Sequence, residues 1–108
     1  GSSTSEEILE RVRAEVAGGT TMVILDSDHS AKHVSDELRA YAPMVSVGHY
    51  LVVEDTNLNG NPILPEWGPG PREAVEGFLR ETDAFEVDRS REKFFMTFNP
   101  TGYLRRVR

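Results

Sequence analysis

Apolar residues recur along this chain at two periods, helical and strand-like, and the two alternate. Thr4 followed by Glu7 has the form of a helix-capping pair. Ile8, Leu9, Val12 and Val16 then share one helical face until Gly18-Gly19 interrupts it. A helix is predicted over residues 5–17. Met22-Val23-Ile24-Leu25 is too short for a helix and apolar throughout, the pattern of a strand covered on both faces. Ser30 stands where it can cap a second helix carrying Val34, Leu38 and Tyr41 on one side, and Pro43 ends it. Tyr50-Leu51-Val52-Val53 repeats the buried-strand pattern after Gly48.

Between Thr56 and Gly70 the density of Asn, Gly and Pro defeats both helix and sheet, despite Ile63, Leu64 and Trp67. This stretch is expected to form a loop that partly covers whatever site lies beside it. Pro71 suits the first position of a third helix, with Ala74, Val75, Phe78 and Leu79 facing inward. Phe85-Glu86-Val87-Asp88 and Phe94-Phe95-Met96-Thr97-Phe98 then read as an antiparallel strand pair at the sheet edge. The order helix, strand, helix, strand, helix, strand, strand predicts an α/β fold: two parallel strands with crossover helices and a terminal antiparallel pair. At 108 residues it is expected to be a single domain, residues 1–108.

In such sheets, ligands bind outside the carboxyl ends of the strands. Asp26-Ser27-Asp28-His29 closes the first buried run and Glu54-Asp55 closes the second. Adjacent strands lie about 4.8 Å apart, so carboxylates at the ends of two of them can grip one hard cation. Asp26, Glu54 and Asp55 are therefore candidate metal ligands, and a bound cation would relieve their mutual repulsion. The plainer alternative has Asp26 and Asp28 capping the next helix while Glu54 and Asp55 face water. Asp28 and His29 stand just before the helix that Ser30 opens, where a helix amino end lowers the pKa of an imidazole. His29 is thus a candidate general base or, equally, a capping histidine. His33 and His49 are read as structural.

Composition narrows the chemistry further. There is no cysteine, which excludes disulfide frameworks, thiolate metal sites and cysteine nucleophiles. No apolar run approaches the roughly 20 residues that cross a bilayer, and no basic-then-apolar leader opens the chain, so a soluble, cytoplasmic protein without membrane contact is expected. The net charge of −6 argues against general nucleic-acid binding. Residues 1–88 carry 6 basic and 17 acidic side chains and residues 89–108 carry 6 basic and 1 acidic, which leaves a local basic spot at Arg105-Arg106-Val107-Arg108. It reads first as a solvated chain end or a patch that pairs with acidic surface, and second as a phosphate or partner contact.

Residues 23–30 (Val-Ile-Leu-Asp-Ser-Asp-His-Ser), 50–56 (Tyr-Leu-Val-Val-Glu-Asp-Thr), 68–75 (Gly-Pro-Gly-Pro-Arg-Glu-Ala-Val) and 88–94 (Asp-Arg-Ser-Arg-Glu-Lys-Phe) together resemble the cephalosporin hydroxylase family. Its members have the Rossmann-like fold of class I S-adenosylmethionine-dependent methyltransferases and are similar to magnesium-dependent macrolide sugar O-methyltransferases. The resemblance implies that Asp26, Glu54 and Asp55 bind magnesium (Mg2+) and that Asp28 or His29 accepts the proton; both are present, so it does not choose between them. Gly1-Ser2-Ser3 looks like the loop that touches the cofactor adenine, which makes Ser2 and Ser3 candidate cofactor contacts, although an expression-tag remnant also leaves Gly-Ser at an amino end.

The chain departs from the family in lacking the glycine-rich strand-to-helix turn that cradles the methionine part of S-adenosylmethionine. Gly68-Pro69-Gly70 follows no strand and does not replace it. An acidic residue for the ribose is missing too. The chain therefore resembles the carboxyl-terminal half of such an enzyme, inactive alone and weak in cofactor binding. The expected activity of the complete enzyme is metal-dependent methyl transfer to a small-molecule hydroxyl, as on a sugar or antibiotic, with the missing amino-terminal half or a second copy as partner. A non-catalytic half-domain stays open, as do a metal-dependent phosphatase and a glycosyltransferase, since Asp-x-Asp after a strand occurs in those classes as well.

Overall fold

The computed structural model describes residues 1–93 and 96–108. Its elements are α1 (Glu6–Val16), β1 (Val23–Leu25), α2 (Ala31–Tyr41), β2 (Tyr50–Val53), α3 (Pro71–Glu81), β3 (Phe85–Val87) and β4 (Tyr103–Arg106). The strands form a sheet in the order β1-β2-β4-β3, with β1 parallel to β2 and β4 antiparallel to both its neighbours. The mixed α/β class and the pair of parallel strands joined by a crossover helix are as the pattern predicts.

The three helices fall where the apolar spacing puts them. α1 ends before Gly18, whose φ of 77° is a conformation that glycine adopts at little cost. Its start differs from expectation: Ser5 occupies the cap position without a side-chain bond, and Thr4 Oγ1 lies 3.0 Å from Ser2 Oγ. The first turn relies instead on Glu6 and Glu7, favourably placed against the helix dipole. After α2 the chain makes one turn of tight helix, Ala42–Met44, with Pro43 inside it.

One face of the sheet packs on α2 and α3. Leu25, Leu51, Val53, Phe85 and Leu104 meet Val34, Leu38 and Tyr41 of α2 and Ala74, Val75 and Phe78 of α3. Phe78 and Phe85 stack with ring centroids 5.6 Å apart. Each Leu, Val or Phe side chain among these contributes about 1.5–3 kcal/mol by leaving water, and the cluster anchors both strands whose ends bear the acidic residues.

Two expectations fail here. The first strand is not covered on both faces, because Met22 and Ile24 are 53% and 58% exposed while Leu25 is buried; β1 lies at the sheet edge and only one face meets the helices. The second concerns the strand predicted over 94–98. Phe94 and Phe95 lie outside the described residues, and residues 96–98 form no strand. The partner of β3 is Tyr103–Arg106, so part of the basic tail is a strand inserted between β2 and β3. Long-range pairing decided this: Leu104, set among charged neighbours, is wholly buried opposite Leu51 and Val87. Among the described residues, no helix is long and apolar enough to cross a membrane.

Candidate active site

The parallel register pairs Leu25 with Val53, so both strands end at the same level. The Glu54 N–H donates to the Leu25 carbonyl at 3.0 Å, carrying the ladder one step further. Asp55 then adopts a φ of 55°, the left-handed region that Asp tolerates better than most residues. Its backbone N–H donates to Asn99 Oδ1 at 2.9 Å. Behind it, Gly102 admits no side chain, since a Cβ there would overlap the Val53 carbonyl oxygen.

On the other strand, Asp26 opens a turn that runs into α2. Ser30 caps that helix as predicted, accepting the His33 N–H at 3.3 Å, while Asp28 Oδ1 accepts the Ser30 N–H at 2.8 Å. Hydrogen bonding to the Ser30 side chain, then to its backbone, holds the Asp28 carboxyl below its ordinary range. Its role in this turn is that of a local cap.

His29 points toward both strand ends. Its Nε2 lies 3.2 Å from Asp55 Oδ2 and 3.4 Å from Asp26 Oδ1. Asp26, His29 and Asp55 each offer one ligand atom, and these lie within 4.8 Å of one another. Two carboxylates and an imidazole are a donor set that suits a divalent cation. Glu54 is half-buried beside this group but not part of it. The left-handed turn at Asp55 brings forward the second residue of the acidic pair rather than the first.

Loop 56–70 reaches the site. Trp67 donates its indole N–H to the His29 carbonyl at 3.3 Å, and the Pro69 carbonyl accepts the Ala31 N–H at 3.0 Å. The loop is held without a ladder by Glu73, which accepts from the Gly70 N–H at 2.7 Å and from Asn59 Nδ2 at 3.2 Å. Of the amino-terminal serines, Ser2 bonds to Thr4, and Ser3 bonds to the α2 side chains of His33 and Glu37. Asn99 and Trp67, which position the site, carried no signal in the sequence beyond belonging to irregular segments.

The profile of the rhamnosyl O-methyltransferase/CmcI family matches residues 1–107. The chain belongs to this family. Among members of the rhamnosyl O-methyltransferase/CmcI family, it is similar to the rhamnosyl O-methyltransferase of Mycobacterium leprae, with 46% identity over 106 residues, covering 94% of this chain and 46% of that protein. It is likewise similar to the rhamnosyl O-methyltransferases of Mycobacterium bovis and Mycobacterium tuberculosis, with 46% identity over 100 residues, covering 91% of this chain and 40% of each relative. The chain thus spans less than half the length of these curated relatives. No solved structure gives a significant match.

Proposed function

We propose that this chain is the carboxyl-terminal half of an S-adenosylmethionine-dependent, magnesium-assisted O-methyltransferase that acts on a sugar hydroxyl of a secondary metabolite. The convergence of Asp26, His29 and Asp55 on one point, in a member of this family, carries the reading. The name rhamnosyl O-methyltransferase borne by the relatives supports the sugar acceptor. Coverage of less than half of each relative supports a longer complete protein, of which this chain is one half. So does the edge position of β1, whose exposed Ile24 gives a further strand and its helices a surface to meet.

In this reading Asp26 and Asp55 would hold the cation, with Glu54 beside them as the third carboxylate, and His29 Nε2 would stay off the cation, free to accept a proton. When bound, the cation supplies positive charge that lowers the cost of the developing alkoxide. S-adenosylmethionine would supply the methyl group and leave as S-adenosylhomocysteine, and His29 would take the proton that the acceptor hydroxyl gives up. His29 is favoured over Asp28 because the Asp28 carboxyl is held low by Ser30 and is a weaker base for it. Trp67 and Pro69 fix the His29 segment, which keeps the proton acceptor in place. Ser2 and Ser3 are assigned to the cofactor side, with the amino-terminal half supplying the rest of that pocket.

The test is transfer of a labelled methyl group from S-adenosylmethionine to a sugar hydroxyl by the full-length protein. Chelation and Asp26→Ala should each abolish turnover, and readdition of magnesium should restore it only in the unmutated protein. Turnover indifferent to chelator would refute metal assistance.

A further inference from the structure

We propose that Glu37 is a positioning residue that sets the cofactor-side loop and the metal-side loop against each other through one buried carboxylate. Glu37 lies on α2 and is 2% exposed. Its Oε1 accepts the Ser3 hydroxyl at 2.6 Å and the Ser27 hydroxyl at 2.8 Å. His33 Nε2 stands 3.5 Å from the same oxygen and 3.2 Å from Ser3 Oγ. Tyr41, one turn further along α2, donates to the Ser3 carbonyl at 2.7 Å. Ser3 belongs to the amino-terminal segment, and Ser27 sits between Asp26 and Asp28, so two loops 24 residues apart in sequence take their position from one atom.

Stability does not account for this carboxylate. Its Oε2 is buried without a hydrogen-bond partner among the described residues. A buried charged group that is half satisfied costs free energy that an apolar side chain of similar size would not. What it supplies is geometry, since one oxygen fixes both serines at hydrogen-bond distance and holds the Asp26 backbone relative to Ser3. The inference rests on the metal-assisted methyl-transfer reading, and it assigns to Glu37 a dependence of both binding sites on one residue that touches neither ligand.

The experiment uses the full-length protein and three readouts: Mn2+ affinity by electron paramagnetic resonance, S-adenosylhomocysteine affinity by calorimetry, and the melting temperature. Glu37→Met should leave the melting temperature equal or raised while both affinities fall about tenfold or more, the scale of lost outer-shell support. Glu37→Gln, which keeps an acceptor oxygen, should recover part of both. Ser27→Ala should weaken mainly Mn2+ binding and Ser3→Ala mainly S-adenosylhomocysteine binding. A lowered melting temperature with both affinities intact in Glu37→Met would make the residue purely structural and overturn the proposal. If Glu37→Met does not fold, unchanged affinities in both serine variants overturn it equally. Asp26→Ala separates the two levels of argument. If Asp26→Ala abolishes Mn2+ binding while Glu37→Met retains both ligands, only the role of Glu37 falls; if Asp26→Ala binds Mn2+ normally, the metal reading falls and this inference with it.

Discussion

The side-chain oxygen of Asn99 accepts the backbone N–H of Asp55 at 2.9 Å across 44 residues of sequence. Asn99 is buried, and it holds a residue whose backbone sits in the left-handed region. Asn99→Ala leaves the Asp55 N–H without its partner, at an expected cost of about 1–3 kcal/mol. Urea denaturation should show that loss, and Mn2+ titration should show weaker binding in the fraction that remains folded. An unchanged affinity would mean that Asp55 finds its place without Asn99.

Asp55 itself allows backbone and ligand roles to be separated. Glycine accepts a φ of 55° more readily than any other residue. Asp55→Gly is therefore expected to keep stability within about 1 kcal/mol of the native protein while removing a carboxylate from the cation group. Retained Mn2+ binding in this variant would exclude Asp55 as a ligand.

Trp67 is the single tryptophan of the chain, and its indole donates to the His29 carbonyl. Its fluorescence should report the site directly. Paramagnetic Mn2+ is expected to quench it along a saturating curve, and Asp26→Ala should flatten that curve. Quenching that persists unchanged in the variant would place the ion elsewhere.

Gly102 lies against the backbone at the end of β2, where an added Cβ would overlap the Val53 carbonyl oxygen. Gly102→Ala must shift β4 or the Glu54-Asp55 turn, with an expected loss of about 1–3 kcal/mol from overpacking. Thermal melting tests the size, and a variant as stable as the native protein would contradict this packing.

Asp88 gives a pH prediction away from the candidate site. Its carboxyl is lowered from 3.8 to about 2, first by the Ser90 side chain and then by Tyr50, whose hydroxyl donates at 2.6 Å. A depressed folded-state pKa stabilises the protein in full above the unfolded value of about 3.8, and that contribution is lost as pH falls through about 2. The stability advantage of the native protein over Asp88→Asn should follow this course in acid titration. Tyr50→Phe should move the Asp88 carboxyl back toward its ordinary value, which carboxyl NMR can follow.

The local signals in this chain are strong for the three helices and the first three strands, and those elements are found where they are predicted. Val34, Leu38 and Tyr41 on one helical face, Pro71 at a helix start and the unbroken apolar run of Tyr50–Val53 each specify their element from within a few residues. The strand Tyr103–Arg106 was not legible, because its pairing depends on β2 and β3 and half of its residues are arginines. The basic tail read as a solvated end or a patch pairing with acidic surface; Arg108 does pair with Asp83 at 3.0 Å, while Arg105 and Arg106 lie in β4.

The sequence by itself determined that two acidic segments follow two parallel strands, since strand and helix patterns are set by neighbouring residues. Only the tertiary structure decided which side chains of those segments meet. The left-handed backbone at Asp55, hydrogen-bonded to Asn99 from 44 residues away, brings Asp55 rather than Glu54 to His29 and Asp26. Trp67 reaches the same point through a loop with no periodic pattern. Contacts between residues distant in the chain depend on how the elements pack, and no local period encodes them.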